Sequence, residues 1–127
     1  MKKLLIAGVF TFTLVGCAST PPQAQGMMQE TIRYSSSPCF GACPIYSVEI
    51  SPSGAVHFDG KQYTKVTGTQ DLTVSPSVYK KLQQELQSYR PETGANVKTT
   101  GCQQTATDQP SAYFWWKRPD GTVTRLS

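Results

Sequence analysis

The stretch Cys39-Phe40-Gly41-Ala42-Cys43-Pro44-Ile45-Tyr46-Ser47-Val48-Glu49-Ile50 decides how the rest of this chain is read. Two cysteines bracket a Phe-Gly-Ala bend, and Pro44 then fixes φ and removes a donor. From there Tyr46, Val48 and Ile50 alternate with Ser47 and Glu49, the period of a half-buried strand. Ser51-Pro52-Ser53-Gly54 carries Pro early and Gly late, as a tight turn prefers. A second strand follows from Ala55 to Phe58, with Val56 and Phe58 on one face. Asp59-Gly60 reads as a primed hairpin turn, because both residues tolerate positive φ, and Lys61 to Thr69 reads as the returning strand. Ile45 to Thr69 is therefore expected to form a three-stranded antiparallel meander.

Downstream the period changes. Ser75-Pro76 supplies an N-cap and a proline at the first helical position. Val78, Tyr79, Leu82, Leu86 and Tyr89 fall on one helical face, with lysines, glutamines and Glu85 on the other. The spacing predicts an amphipathic helix of about four turns, stopped by Pro91. Its apolar face needs a partner, and the meander offers one. Glu92 to Pro110 is a long polar stretch, of a length that is usually functional or tied down. Tyr113-Phe114-Trp115-Trp116 is too aromatic for a loop, and Pro119-Asp120-Gly121 turns the chain into a last strand from Thr122 to Leu126. Upstream, Gln29 to Tyr34 reads as the first strand, broken by Ser35-Ser36-Ser37-Pro38. The fold class is α+β: an antiparallel sheet of about five to six strands with one amphipathic helix packed on one face.

The N-terminus specifies a location. Lys2 and Lys3 precede an apolar run from Leu4 to Val15, too short for a membrane span, which takes about 20 residues. Leu14-Val15-Gly16-Cys17 is the ending of a bacterial lipoprotein signal. The organisation expected is a signal peptide over 1–16, lipidated Cys17 with a polar tether to residue 28, and one domain over 29–127. Acyl chains such as palmitate on Cys17 would hold the protein to the membrane, two or more being needed for stable anchoring. Ala18 and Ser19 follow the cysteine with no aspartate, which favours the outer membrane, facing the periplasm. Removing residues 1–16 from the 127 leaves 111, one small domain, and the loss of Lys2 and Lys3 lowers the net charge from +4 to +2. The remaining basic residues are scattered in sequence from Arg33 to Arg125. Nucleic-acid binding, which wants a clustered patch, is excluded.

Cys39, Cys43 and Cys102 remain once Cys17 is acylated. Outside the cytoplasm such cysteines serve as disulfide candidates. Loop entropy favours joining Cys102 to Cys39 or Cys43 over closing the short 39–43 loop, and one thiol is left over. Two sharper readings compete. Cys39 and Cys43 as a redox pair have C-x3-C rather than C-x-x-C spacing and precede a strand, not a thiol-activating helix N-terminus. A metal site from the three cysteines and His57 has tetrahedral arithmetic, but an oxidising compartment opposes it and His57 alternates outward. Thr107 and Asp108 form a candidate polar site, with turn capping by Asp108 the commoner role. The Tyr113–Trp116 run could line a ligand groove, although burial against the helix is commoner for such alternation. There is no Ser/His/Asp set, no carboxylate pair and no glycine-rich phosphate loop. A non-enzymatic binding or structural module is expected, without a cofactor, meeting the membrane through its anchor and an envelope protein or small ligand through its domain. The alternative is a thiol-redox or metal-handling protein using Cys39, Cys43 and Cys102. An enzyme acting around Asp108 and the aromatic run ranks third.

From Ser37 to Val48 the sequence resembles a bacterial domain-of-unknown-function family, number 6438, whose members carry C-x-G-x-C-P-x-Y opening a strand. Gly54, Gly60, a helix, Cys102, Thr107-Asp108 and Pro110 continue the likeness from about Thr31 to Leu126. The resemblance implies a small secreted or lipid-anchored domain and brings no activity or catalytic residue. Members continue past the corresponding last strand with another cysteine and a helix-like segment, whereas this sequence ends at Ser127. That implies a usual partner for the odd thiol in the further part, and an unprotected edge at Thr122 to Leu126.

Overall fold

A computed structural model describes residues 29–100 and 108–127. The signal peptide, Cys17 and the tether lie outside the described residues, as do Cys102 and Thr107. The elements in chain order are β1 (Thr31–Ser36), β2 (Ile45–Ile50), β3 (Ala55–Gln62), β4 (Gly68–Thr73), α1 (Pro76–Leu86), β5 (Asn96–Val97), β6 (Ala112–Lys117) and β7 (Val123–Leu126). They build one sheet in the order β4-β3-β2-β1-β6-β7-β5, with α1 on one face. The α+β class holds. The sheet, however, has seven strands and is mixed, because β5 runs parallel to β7 while every other pair is antiparallel.

Three further expectations are corrected. Asp59-Gly60 is not a turn: β3 runs on to Gln62, and the reversal comes later, with Tyr63 at φ 55°. Gly60 serves instead as a point of close approach. A Cβ there would lie 2.1 Å from the Val66 carbonyl oxygen of that reversal. The helix is shorter than its apolar pattern. It starts as expected, with Ser75 Oγ accepting from the Ser77 amide and Pro76 in the first turn, but ends at Leu86 with Gln87 as cap. Tyr89 therefore falls beyond it and is 68% exposed. Finally, β7 is not an open edge. Asn96 and Val97 pair with Arg125 and Leu126, aided by Arg125 N–H to Ala95 O at 2.8 Å and Ser127 N–H to Val97 O at 3.0 Å.

Alternation sorts each strand between the two faces. Ile32, Ile50 and Trp116 turn toward the helix and with Tyr79 form the buried core, flanked by Val56, Val74, Leu82, Leu86, Phe114 and Leu126. Gly54 joins this end of the sheet to the helix. Its φ is +88°, its carbonyl accepts from the Val74 amide at 2.8 Å, and a Cβ would sit 2.0 Å from the Val74 oxygen.

Candidate functional site

An 11-residue helix is about 16 Å long, and seven strands at about 4.8 Å spacing span about 29 Å. One helix cannot cover that face. It is seated over the Ile32, Ile50 and Trp116 end through Tyr79, Leu82 and Leu86. Beyond its flank runs a row of aromatic rings, one from each of four neighbouring strands: Phe58, Tyr46, Tyr34 and Phe114. Their centroids are 5.8, 5.6 and 5.3 Å apart in that order, and Trp116 continues from Phe114 at 6.0 Å. The four rings are only partly buried. Burial, and then the Tyr46 hydroxyl, hold the Tyr34 phenol above its ordinary pKa. Between this row and the helix lies a hollow of about 290 Å³, lined chiefly by Tyr34, Val48, Val56, Leu82, Leu86 and Phe114. Hardly a polar atom faces it. Partly exposed rings beside an apolar hollow are the usual makings of a ligand surface.

The cysteine bend closes the same end of β1 and β2. Cys39 is bonded to Cys43, with Cα atoms 5.8 Å apart. This corrects the expected bridge from Cys102. Loop entropy favours long closures, but antiparallel pairing of β1 with β2 already folds the intervening loop back on itself and brings these two Cβ vectors together. Ser36 Oγ donates to Pro44 O at 2.8 Å and accepts from the Tyr46 amide at 3.2 Å. The Phe40 amide donates to Asp108 O at 3.2 Å, leaving the Phe40 ring 94% exposed at the tip. Asp108 is exposed and takes part here through its backbone; Ser111 N–H reaches Ser37 Oγ beside it at 2.8 Å.

The opposite face is open and polar. His57 points outward, as its alternation predicts, with Nδ1 2.7 Å from Asp71 Oδ1. Trp115 and Tyr113 lie on this face, their rings 5.9 Å apart, and the Arg33 guanidinium sits 5.6 Å from the Trp115 ring centre. The aromatic run is therefore split: Phe114 and Trp116 face the helix, Tyr113 and Trp115 the open side. Among the described residues no three histidine, cysteine or acidic side chains gather as a metal site.

Sequence reasoning missed a buried ionic cluster. Glu30 is 1% exposed, and Arg90 reaches its two oxygens through Nε at 2.9 Å and Nη2 at 2.5 Å. Arg90 also donates to Pro91 O and Thr93 Oγ1, while the Tyr79 hydroxyl donates to the Glu30 carbonyl. Every buried side-chain polar atom of the cluster has a partner, so it fastens the helix end to the start of β1. The signal available in sequence was a single acid beside Gln29, indistinguishable from tether composition.

The half-covered, seven-stranded mixed sheet, its single helix, the aromatic row and the disulfide-closed loop define a small α+β domain. The chain belongs to the family Domain of unknown function (DUF6438), which it matches over residues 30–127. No curated protein and no solved structure matches it.

Proposed function

We propose that this chain is a non-enzymatic binding module of the bacterial cell envelope, lipid-anchored at Cys17 to the outer membrane and facing the periplasm. Its ligand surface is the helix-side face of the sheet. The observation that carries this reading is the row Phe58–Tyr46–Tyr34–Phe114 left beside the helix, with the 290 Å³ hollow next to it. A hollow so poor in polar groups favours an aliphatic chain, and the Tyr34 and Tyr46 hydroxyls offer hydrogen bonds to a polar head at its rim. Support for the location is the Leu14-Val15-Gly16-Cys17 ending and the polar tether after it.

Both halves are testable. Cells fed labelled palmitate should label the wild-type protein, and Cys17→Ser should remove the label; label retained in Cys17→Ser contradicts the anchor. Protein from residue 18 onward should bind a fluorescent fatty acid saturably, and Tyr46→Ala or Leu82→Asp should weaken that binding at least tenfold. Equal binding by the variants contradicts the surface.

One observation favours a second reading, thiol-redox or metal handling through Cys39, Cys43 and Cys102. The Cys39–Cys43 bridge sits on an exposed loop, within reach of a reductant or a partner thiol. Only the reduced pair could offer thiolates to a metal. Thiol titration of protein taken from the periplasm separates the readings: three free thiols support this one, a bridged pair the binding module.

A further inference from the structure

The register of the sheet aligns six outward side chains in one straight row across six strands: Asp71 on β4, His57 on β3, Glu49 on β2, Arg33 on β1, Trp115 on β6 and Arg125 on β7. The row is charge-sorted. Its carboxylates lie on β2 to β4 and its guanidiniums on β1 and β7; beside the row, Asp59 on β3 is neutralised by Lys61 at 2.6 Å, and Lys117 adds a positive charge to the basic half. Among the described residues Glu49 and Arg125 form no ion pair, and Arg33 is engaged only by Ser47 Oγ at 3.4 Å and by the Trp115 ring. Shallow hollows flank the boundary, one lined by Glu49, His57 and Asp71, the other by Arg33, Glu49, Trp115 and Arg125.

We propose that this open face joins two copies of the chain. A two-fold axis lying in the interface, parallel to the strands and between β1 and β2, maps the acidic half of the row onto the basic half. It sets Glu49 against the partner's Arg33, His57 against the partner's Trp115 and Asp71 against the partner's Arg125, each contact occurring twice. That reciprocity is what an isologous interface requires. Sheets packed face to face lie about 10 Å apart, a gap that glutamate and arginine span between them. Their strands cross at about 30°, so the inner Glu49–Arg33 pairs register best and the outer pairs are offset. Six strands of about six residues present about 600 Å² per copy, so the pair buries about 1,200 Å², just above what a specific interface needs. Tethering on a membrane would favour such a weak, charge-steered dimer by raising its local concentration. An anionic small ligand on the Arg33–Trp115–Arg125 half is the competing occupant, but it leaves the carboxylate half unused. The proposal does not rest on the helix-side surface.

The test is sedimentation equilibrium of the full lipidated chain in density-matched detergent. A dimer with a Kd below about 100 µM is expected, weakening as salt is raised. Arg33→Glu and Glu49→Arg should each weaken it at least tenfold, and the double swap should restore it. Asp71→Arg with Arg125→Asp gives an independent swap should the first pair disturb folding. A monomer at every concentration overturns the proposal, as does a dimer indifferent to both swaps and to salt. Neither result bears on fatty-acid binding, so the two readings fail separately.

Discussion

Arg90 holds the buried carboxylate of Glu30 through two guanidinium nitrogens, 60 residues away in sequence, and so ties the segment after α1 to the residue before β1. A buried ion pair is weak evidence for net stability, but breaking it on one side strands a charge. Arg90→Met or Glu30→Gln is expected to cost about 3–5 kcal/mol in urea unfolding, and the double replacement less than the two singles together. Equal, small losses for the singles would show that water reaches the pair.

Tyr79 packs in the core with its hydroxyl on the Glu30 carbonyl. Burial first, and then the Glu30 charge, push its pKa from 10.0 up to about 12. Between those values the folded state keeps a proton that the unfolded chain loses, so the Tyr79 contribution to stability is constant below pH 10 and falls as pH climbs toward about 12. The slope is at most about 1.4 kcal/mol per pH unit. Tyr79→Phe should flatten this alkaline limb while lowering stability at neutral pH by about 1–3 kcal/mol, since the Glu30 carbonyl loses its donor. Chemical unfolding at a series of pH values measures both.

Gly54 and Gly68 both have positive φ, +88° and +92°, but only Gly54 is hemmed in. Gly68→Ala meets nothing within 4 Å and should cost only the backbone term, about 1–2 kcal/mol. Gly54→Ala would also drive a Cβ into the Val74 carbonyl, so a loss of about 3 kcal/mol or more is expected. Thermal melts of the two variants side by side check the difference.

The Cys39–Cys43 bridge predicts a particular tryptic map. Arg33 and Lys61 bound a single peptide holding both cysteines, while Cys102 lies in the peptide between Lys98 and Lys117. Without reduction, the first peptide should run two hydrogens lighter and uncrosslinked. A covalent link between the two peptides would contradict the bridge. A loop this short should contribute only about 2 kcal/mol, so Cys39→Ser should fold.

Local pattern made much of the fold legible. Tyr46, Val48 and Ile50 announce their strand by period two, Ser75-Pro76 starts the helix, and Asp120-Gly121 turns where expected, with Asp120 Oδ1 accepting from the Thr122 amide at 2.8 Å. What stayed hidden depends on partners distant in sequence. Two residues, Asn96 and Val97, show no periodicity, and β7 alone makes them a strand. Gly60 looks like hairpin chemistry until the Val66 carbonyl crosses above it. The Phe58–Tyr46–Tyr34–Phe114 row exists only through the register of four strands. So does the charged row on the open face, whose basic members look scattered along the chain.

The ligand surface beside the helix is tested by mapping a bound acyl chain by NMR, titrating a short-chain fatty acid into isotope-labelled protein from residue 18 onward. Saturable shifts are expected in the rings of Tyr34, Tyr46, Phe58 and Phe114 and in the methyls of Leu82 and Leu86, with Trp115 and Tyr113 unmoved. Shifts confined to the open face, or none at these six residues at saturating ligand, would contradict that surface.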